Sequence, residues 1–219
     1  MEVHPAWGAI GRQLRHPRGW GGRLVGPAMR LVNAGPNRVA IQALNPAPGD
    51  ALLELGFGPG EGIAALLRSA PRGVVHGVDQ SAAMLRQALR RNAGGVARER
   101  VRLRVGRFTD LAAPDSSIDG ILAVNVVYFW EDGAAVLGEV WRVLRRGGRM
   151  AVYATDAAAM RSWKFAGADT HRLFDRAGLH AFLGQAPFRH DDVEVSEVRL
   201  AFGMPGLVAL VRKPPGPPR

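Results

Sequence analysis

The sequence predicts an α/β domain built on a mostly parallel sheet, and three observations predict it. From residue 50 onward, short apolar runs alternate with helical patterns, as expected for strands joined by crossover helices. The first such run passes through a glycine-rich turn directly into a helix. The last two runs, Val193 to Leu200 and Leu207 to Val211, are joined by Gly203-Met204-Pro205-Gly206, which predicts an antiparallel hairpin at the sheet edge.

The elements follow in chain order. Residues 1 to 36 begin rich in Gly, Pro and Arg and carry an apolar patch with Trp7, Trp20, Met29 and Leu31; they are expected to form an arm or a lid over the site, or simply to cover the sheet. A helix is expected from Asn37 to Leu44, then a turn at Asn45 to Asp50. Ala51 to Leu55 reads as the first strand and Gly60 to Arg68 as the helix after it. Gly73 to Val78 and Val101 to Val105 read as strands, with a helix over Ala82 to Asn92 between them. Ile118 to Asn125 is almost wholly apolar, as in a strand buried on both faces. Gly133 to Leu144 is a helix expected to stop at Gly147-Gly148, and Met150 to Thr155 is a fifth strand. A last helix is expected from about Thr170 to Gly184. The main domain therefore spans 37 to 212, followed by a Pro-rich tail, 213 to 219, with little capacity for helix or ladder bonds.

Composition narrows the function classes. The 219 residues suffice for one domain with a substantial core. The longest apolar stretch, Ile118 to Trp130, is interrupted and too short to span a bilayer, so no membrane span is expected. The N-terminus has no signal-peptide core, and the absence of cysteine removes thiolate metal sites and cysteine nucleophiles; both fit a cytoplasmic location. No histidine spacing suggests a metal, and none is expected. The formal charge of +10 raises the question of nucleic acid, but the arginines are dispersed, with short clusters at Arg12 to Arg23, Arg98 to Arg107 and Arg142 to Arg149. Solvated arginine faces account for them, and nucleic acid is not the expected partner.

The chemistry concentrates in Leu52-Leu53-Glu54-Leu55-Gly56-Phe57-Gly58-Pro59-Gly60. Alternate glycines let the backbone approach a ligand, and the helix that follows presents free N–H groups. A dinucleotide fingerprint needs glycine at 61, where Glu61 stands, and a carboxylate there repels a pyrophosphate; a nicotinamide dehydrogenase is disfavoured. The turn suits a cofactor with an amino-acid tail and no phosphate. Nineteen residues after Gly60, Asp79 ends the second strand, placed to accept hydrogen bonds from ribose hydroxyls. The alternatives are a tight structural turn and an aspartate capping the next helix at Ser81.

These segments, with Arg142-Val143-Leu144-Arg145-Arg146-Gly147-Gly148-Arg149 and Ile118-Asp119-Gly120-Ile121 through Asn125-Val126-Val127-Tyr128-Phe129-Trp130, resemble the ordered motifs of class I S-adenosylmethionine-dependent methyltransferases of the small-molecule type. The resemblance covers about Asn37 to Leu210. It implies a Rossmann-like, doubly wound, seven-stranded sheet with the cofactor at the carboxyl ends of the first strands. Glu54, Gly56, Phe57, Gly58, Pro59 and Gly60 would wrap the methionine part, Asp79 would hold the ribose, and Gln80 and Met84 would lie near the adenine. Asn125 would stand between the cofactor's amino-acid end and the acceptor. Relatives place an acid toward the adenine after the third strand; here Arg107 occupies that position, and Phe108 is left to cover the ring.

Methyl transfer from a sulfonium needs positioning and desolvation more than a dedicated base. Tyr128 and Trp130 are candidates for an acceptor wall, with plain packing beneath the loop as the alternative, and Tyr153 stands at the fifth strand. Tyr128 and His171 are the candidate catalytic groups. The expected activity is transfer of a methyl group from S-adenosyl-L-methionine, giving S-adenosyl-L-homocysteine, to an O, N or C atom of a small organic acceptor, by a monomer or homodimer. The alternatives are an RNA or protein methyltransferase and a cofactor-binding protein without turnover.

Overall fold

The computed structural model describes residues 33–161 and 172–216. Helix α1 covers 33–44, and β1 (Ala51–Leu55) leads into α2 (Glu61–Ser69). Next come β2 (Val74–Asp79), α3 (Ala82–Arg91), the short α4 (Ala93–Ala97) and β3 (Val101–Val105). After a segment without helix, β4 (Ile118–Val124) is followed by a 3-10 turn at Val127–Phe129, α5 (Gly133–Val143) and β5 (Leu144–Thr155). The chain continues through α6 (Ala157–Met160), α7 (Arg176–Leu183), β6 (Val193–Arg199) and β7 (Pro205–Arg212).

The seven strands form one sheet in the order β3-β2-β1-β4-β5-β7-β6. The first five are parallel, while β7 runs antiparallel to β5 and to the edge strand β6, so the expected C-terminal hairpin is present. Each face of the sheet is covered by its own apolar layer. Leu44, Ile63, Leu66, Met84 and Ala88 from α1, α2 and α3 pack on one side. Val136, Leu137, Val140, Leu179, Phe182 and Leu183 from α5 and α7 pack on the other. The strand order reverses direction between β1 and β4, and a cleft opens at the carboxyl ends of strands at such a switch point.

Three helix boundaries differ most from expectation, the simplest being the last helix, which begins at Arg176 and not near Thr170, with 172–175 outside any helix. Helix α1 is already helical at residue 33, four residues before the expected start. Helix α5 ends at Val143, without the Gly147-Gly148 stop. The amides of Ser116 and Ser117 donate to the carbonyls of Arg142 and Val143, at 2.9 Å each, satisfying the helix end from outside. The chain then turns straight into β5, and Gly147, at φ 74°, lies inside that strand. The arm expected over 1 to 36 lies outside the described residues except for 33–36, which belong to α1.

Candidate functional site: a crevice at the carboxyl ends of β1, β2 and β4

The turn between β1 and α2 is held open by three left-handed glycines, Gly56, Gly58 and Gly60, at φ 71°, 50° and 91°. At two of them a side chain would also collide with its surroundings. A Cβ on Gly56 would lie 2.6 Å from the Val126 side chain, and one on Gly60 would lie 2.9 Å from the Ala88 backbone. Gly58 donates its N–H to Asp79 at 2.9 Å, which ties the turn to the tip of β2.

Two carboxylates are buried here. Asp79 is 8% exposed, and its second oxygen accepts from the Ser81 amide at 2.8 Å; burial raises its pKa despite these backbone donors. Glu54 is 3% exposed, and its pKa is raised well above the ordinary carboxylate range by burial first, then by the charges of Asp79 and Glu61. The Ile63 amide donates to it, so a carboxylate from β1 caps α2 where Gly60 offers no side chain. Gly62 makes the room: a Cβ there would sit 2.0 Å from the Glu54 carboxylate. Glu61, in the first turn of α2, pairs with Arg91 at 2.9 Å.

The opposite wall is neutral. Asn125, left-handed at φ 53° just beyond β4, donates to Asn33 of α1 at 2.8 Å. Its carbonyl oxygen accepts from the Tyr128 hydroxyl at 2.9 Å and from Thr155 at 3.3 Å. Asn37, one turn after Asn33, is also buried.

Of the residues expected at a cofactor, Glu54, Gly56, Phe57, Gly58, Pro59, Asp79, Gln80, Met84, Phe108 and Asn125 all line this one crevice. Gly60 stands behind it as the N-cap of α2. Arg107 is exposed and lines an adjoining hollow that shares Gln80, Phe108 and Phe129 with the crevice. Trp130 is buried beside Phe182 and also borders that hollow. Tyr128 is buried, its hydroxyl donating to Asn125 and accepting from the Thr155 amide at 2.5 Å; burial drives its pKa far above the ordinary phenol value. Tyr153 packs in the layer on the α1 side of the sheet, its ring against Gly206, and does not line the crevice. His171 lies outside the described residues. Sequence reasoning passed over Asn33, Asn37 and Phe129 as lining residues and read Glu61 only as an obstacle to a pyrophosphate. The i, i+4 spacing of Asn33 and Asn37 puts both on one helix face, but nothing local told which face met the sheet.

The crevice presents the acceptors that suit a phosphate-free cationic ligand. Two buried acceptor atoms that line it, Glu54 Oε2 and Asn37 Oδ1, have no hydrogen-bond partner among the described residues. Glu54, Asp79 and Glu61 together disfavour an anion at the helix N-terminus. Among the described residues no group of three His, Asp or Glu side chains could hold a metal ion, and no helix is long and apolar enough to cross a membrane.

Comparison with known proteins leads to the same place. A family of methyltransferase domains matches residues 53–152. The uncharacterized methyltransferase YdaC of Bacillus subtilis is 33% identical over 129 residues, covering 59% of this chain and 69% of YdaC. The demethylmenaquinone methyltransferase of Symbiobacterium thermophilum is 34% identical over 103 residues, covering 47% of this chain but 41% of its own length. In fold, a SAM dependent methyltransferase from Aquifex aeolicus superposes with TM-score 0.64 at 16% identity, over 93% of this chain and 97% of that one. The chain belongs to the methyltransferase family. It spans about two thirds of YdaC and less than half of the demethylmenaquinone relative.

Proposed function

We propose that this protein transfers the methyl group of S-adenosylmethionine to an O, N or C atom of a small organic acceptor. The observation that carries the reading is the pairing of two buried carboxylates, Glu54 and Asp79, across a turn of three left-handed glycines. The cofactor, when bound, supplies an electrophilic methyl on a sulfonium, a good leaving group. The chain's own residues do the rest. Glu54 and Asn37 offer the unpartnered acceptors to the ammonium of the amino-acid tail. Asp79 takes the ribose hydroxyls, held in place by the Gly58 and Ser81 amides. Gln80, Met84 and Phe108 surround the base. Asn125 fixes the β4 end of the crevice, where the acceptor approaches, and Val126 and Phe129 help to keep water from it. A displacement of this kind is served by positioning, so a dedicated base is not required. The curated relative named for demethylmenaquinone supports a small acceptor.

Calorimetric titration with S-adenosylmethionine, S-adenosylhomocysteine and NADH tests the cofactor assignment, followed by transfer of a labelled methyl group to a panel of quinones, acids and amines. Binding of the first two ligands with transfer to a panel member is expected. Binding of NADH alone overturns the reading. Cofactor binding with methylation of RNA or protein, and of no small molecule, overturns the acceptor class.

A further inference from the structure

The helix layers are unequal at the β3 edge. On the α3 side, Val101 and Leu103 of β3 pack against helices. On the opposite side no helix of the described residues lies over β2 and β3, because 106–117 crosses to β4 without forming one. That face carries bases where a covered strand would carry apolar residues. Cross-strand register aligns Leu53, His76 and Arg102 in one row, and Leu55, Val78 and Arg104 in the next. The two arginines are two residues apart on one strand face, about 7 Å along the strand. Together with Leu111 to Pro114, Ser117 and Ile118 they wall a hollow that shares no lining residue with the cofactor crevice.

The hollow is positive and uncompensated. Among the described residues, His76, Arg102, Arg104 and Ser117 are its only lining residues with polar side chains, and none is a carboxylate. Among the described residues neither arginine forms an ion pair, although seven such pairs occur elsewhere in the fold. Exposed charges on an edge strand commonly serve only to prevent edge-to-edge pairing. Arg104 goes further than that role requires. Its Nη2 is pinned to the Asp110 carbonyl, and its Nε is buried with no acceptor among the described residues. A desolvated guanidinium donor without a partner is costly and calls for an acceptor from outside the chain. The planar forks of two arginines match a tetrahedral oxyanion, and an imidazole beside them adds a third donor.

We propose that this hollow is a second ligand site, one that binds the phosphate group of a small molecule on the face of β2 and β3 that no described helix covers. The shared chemistry is the phosphate itself, carried by free inorganic phosphate species or by a phosphorylated metabolite.

The test is an amide NMR titration of the full chain with inorganic pyrophosphate and with ribose 5-phosphate, at ionic strength matched by sodium chloride. Saturable shifts confined to residues 76–78, 102–104 and 111–118 are expected. Tighter binding of ribose 5-phosphate than of pyrophosphate would assign a phosphorylated metabolite, and the reverse order free phosphate species; either supports the site. The double variant Arg102→Gln/Arg104→Gln should bind at least about tenfold more weakly while keeping the wild-type affinity for S-adenosylhomocysteine, which also reports its folding. If that variant fails to fold, Arg102→Gln alone should show a smaller loss. Shifts reproduced by chloride, shifts surviving in the variants, or a hollow that answers only to RNA oligonucleotides each overturn the proposal.

Discussion

The two walls of the crevice solve the same problem by different means. The β1–β2 wall is charged: Glu54, Asp79 and Glu61 gather carboxylates around a glycine turn, and burial keeps Glu54 and Asp79 at raised pKa. The β4–α1 wall is neutral: Asn33, Asn125, Tyr128 and Thr155 lock one another through amide and hydroxyl bonds. The charged wall makes affinity depend on protonation, while the neutral wall makes geometry depend on a network. Removing a member of the first should show in binding, and removing a member of the second in stability.

The sharpest way to break the charged wall is through its backbone. Gly58→Val places a β-branched residue at φ 50° and fills space that the ligand needs, so calorimetry should find no S-adenosylhomocysteine binding. Gly58→Ala should retain some. Next, Asp79→Ala should weaken the cofactor by about 1.5–3 kcal/mol, the range for hydrogen bonds to a charged group, with the fold intact by circular dichroism. Unchanged affinity would remove Asp79 from the ribose.

Tyr128 separates the walls most directly. Tyr128→Phe strands the Thr155 amide and takes one of two donors from the Asn125 carbonyl oxygen, and should cost about 1–3 kcal/mol in denaturant unfolding. With Tyr128 as a packing and network residue, kcat should stay within about threefold of wild type, against the ~100-fold or greater loss of a general base. A loss of that larger size at unchanged cofactor affinity would make Tyr128 catalytic.

The smallest effect is a pH slope. Glu54 has its pKa raised in the folded state, so its contribution to stability is complete below the ordinary value of 4.5 and is lost as pH rises through the elevated native value. The cofactor-free protein should therefore lose melting temperature as pH rises from 4.5 through that elevated value. Glu54→Gln should flatten the slope while weakening the cofactor. An identical slope in both proteins would show that Glu54 ionises normally.

Legibility in the sequence follows the same division. The charged wall lies within contiguous segments, and its glycine spacing and strand-end acid could be read without a structure. The sheet was legible for a similar reason, since runs such as Ile118 to Val124 are apolar throughout and bounded by turn residues. The neutral wall is assembled from residues up to 92 positions apart, Asn33 to Asn125, and no local pattern announces such a bond. The end of α5 was misplaced for a related reason: its carbonyls are satisfied by serines some 26 residues before that end. Glycines at 147 and 148 look like a stop signal but shape a strand. The aromatic residues of the β4 loop were visible as a group, yet which of them turned inward depended on α7, whose Phe182 packs against Trp130.

Lys213 closes the sheet in a way that bears on how the protein can be handled. Its backbone pairs with Gly147 and Gly148, and its ammonium donates to the carbonyls of Trp141 and Leu144 at 2.7 and 2.8 Å. One residue after β7 thus serves as the C-terminal cap of a helix some seventy positions earlier. A truncation or fusion junction set before Lys213 would unfasten the α5–β5 corner, whereas one set after Gly216 would leave that clasp in place.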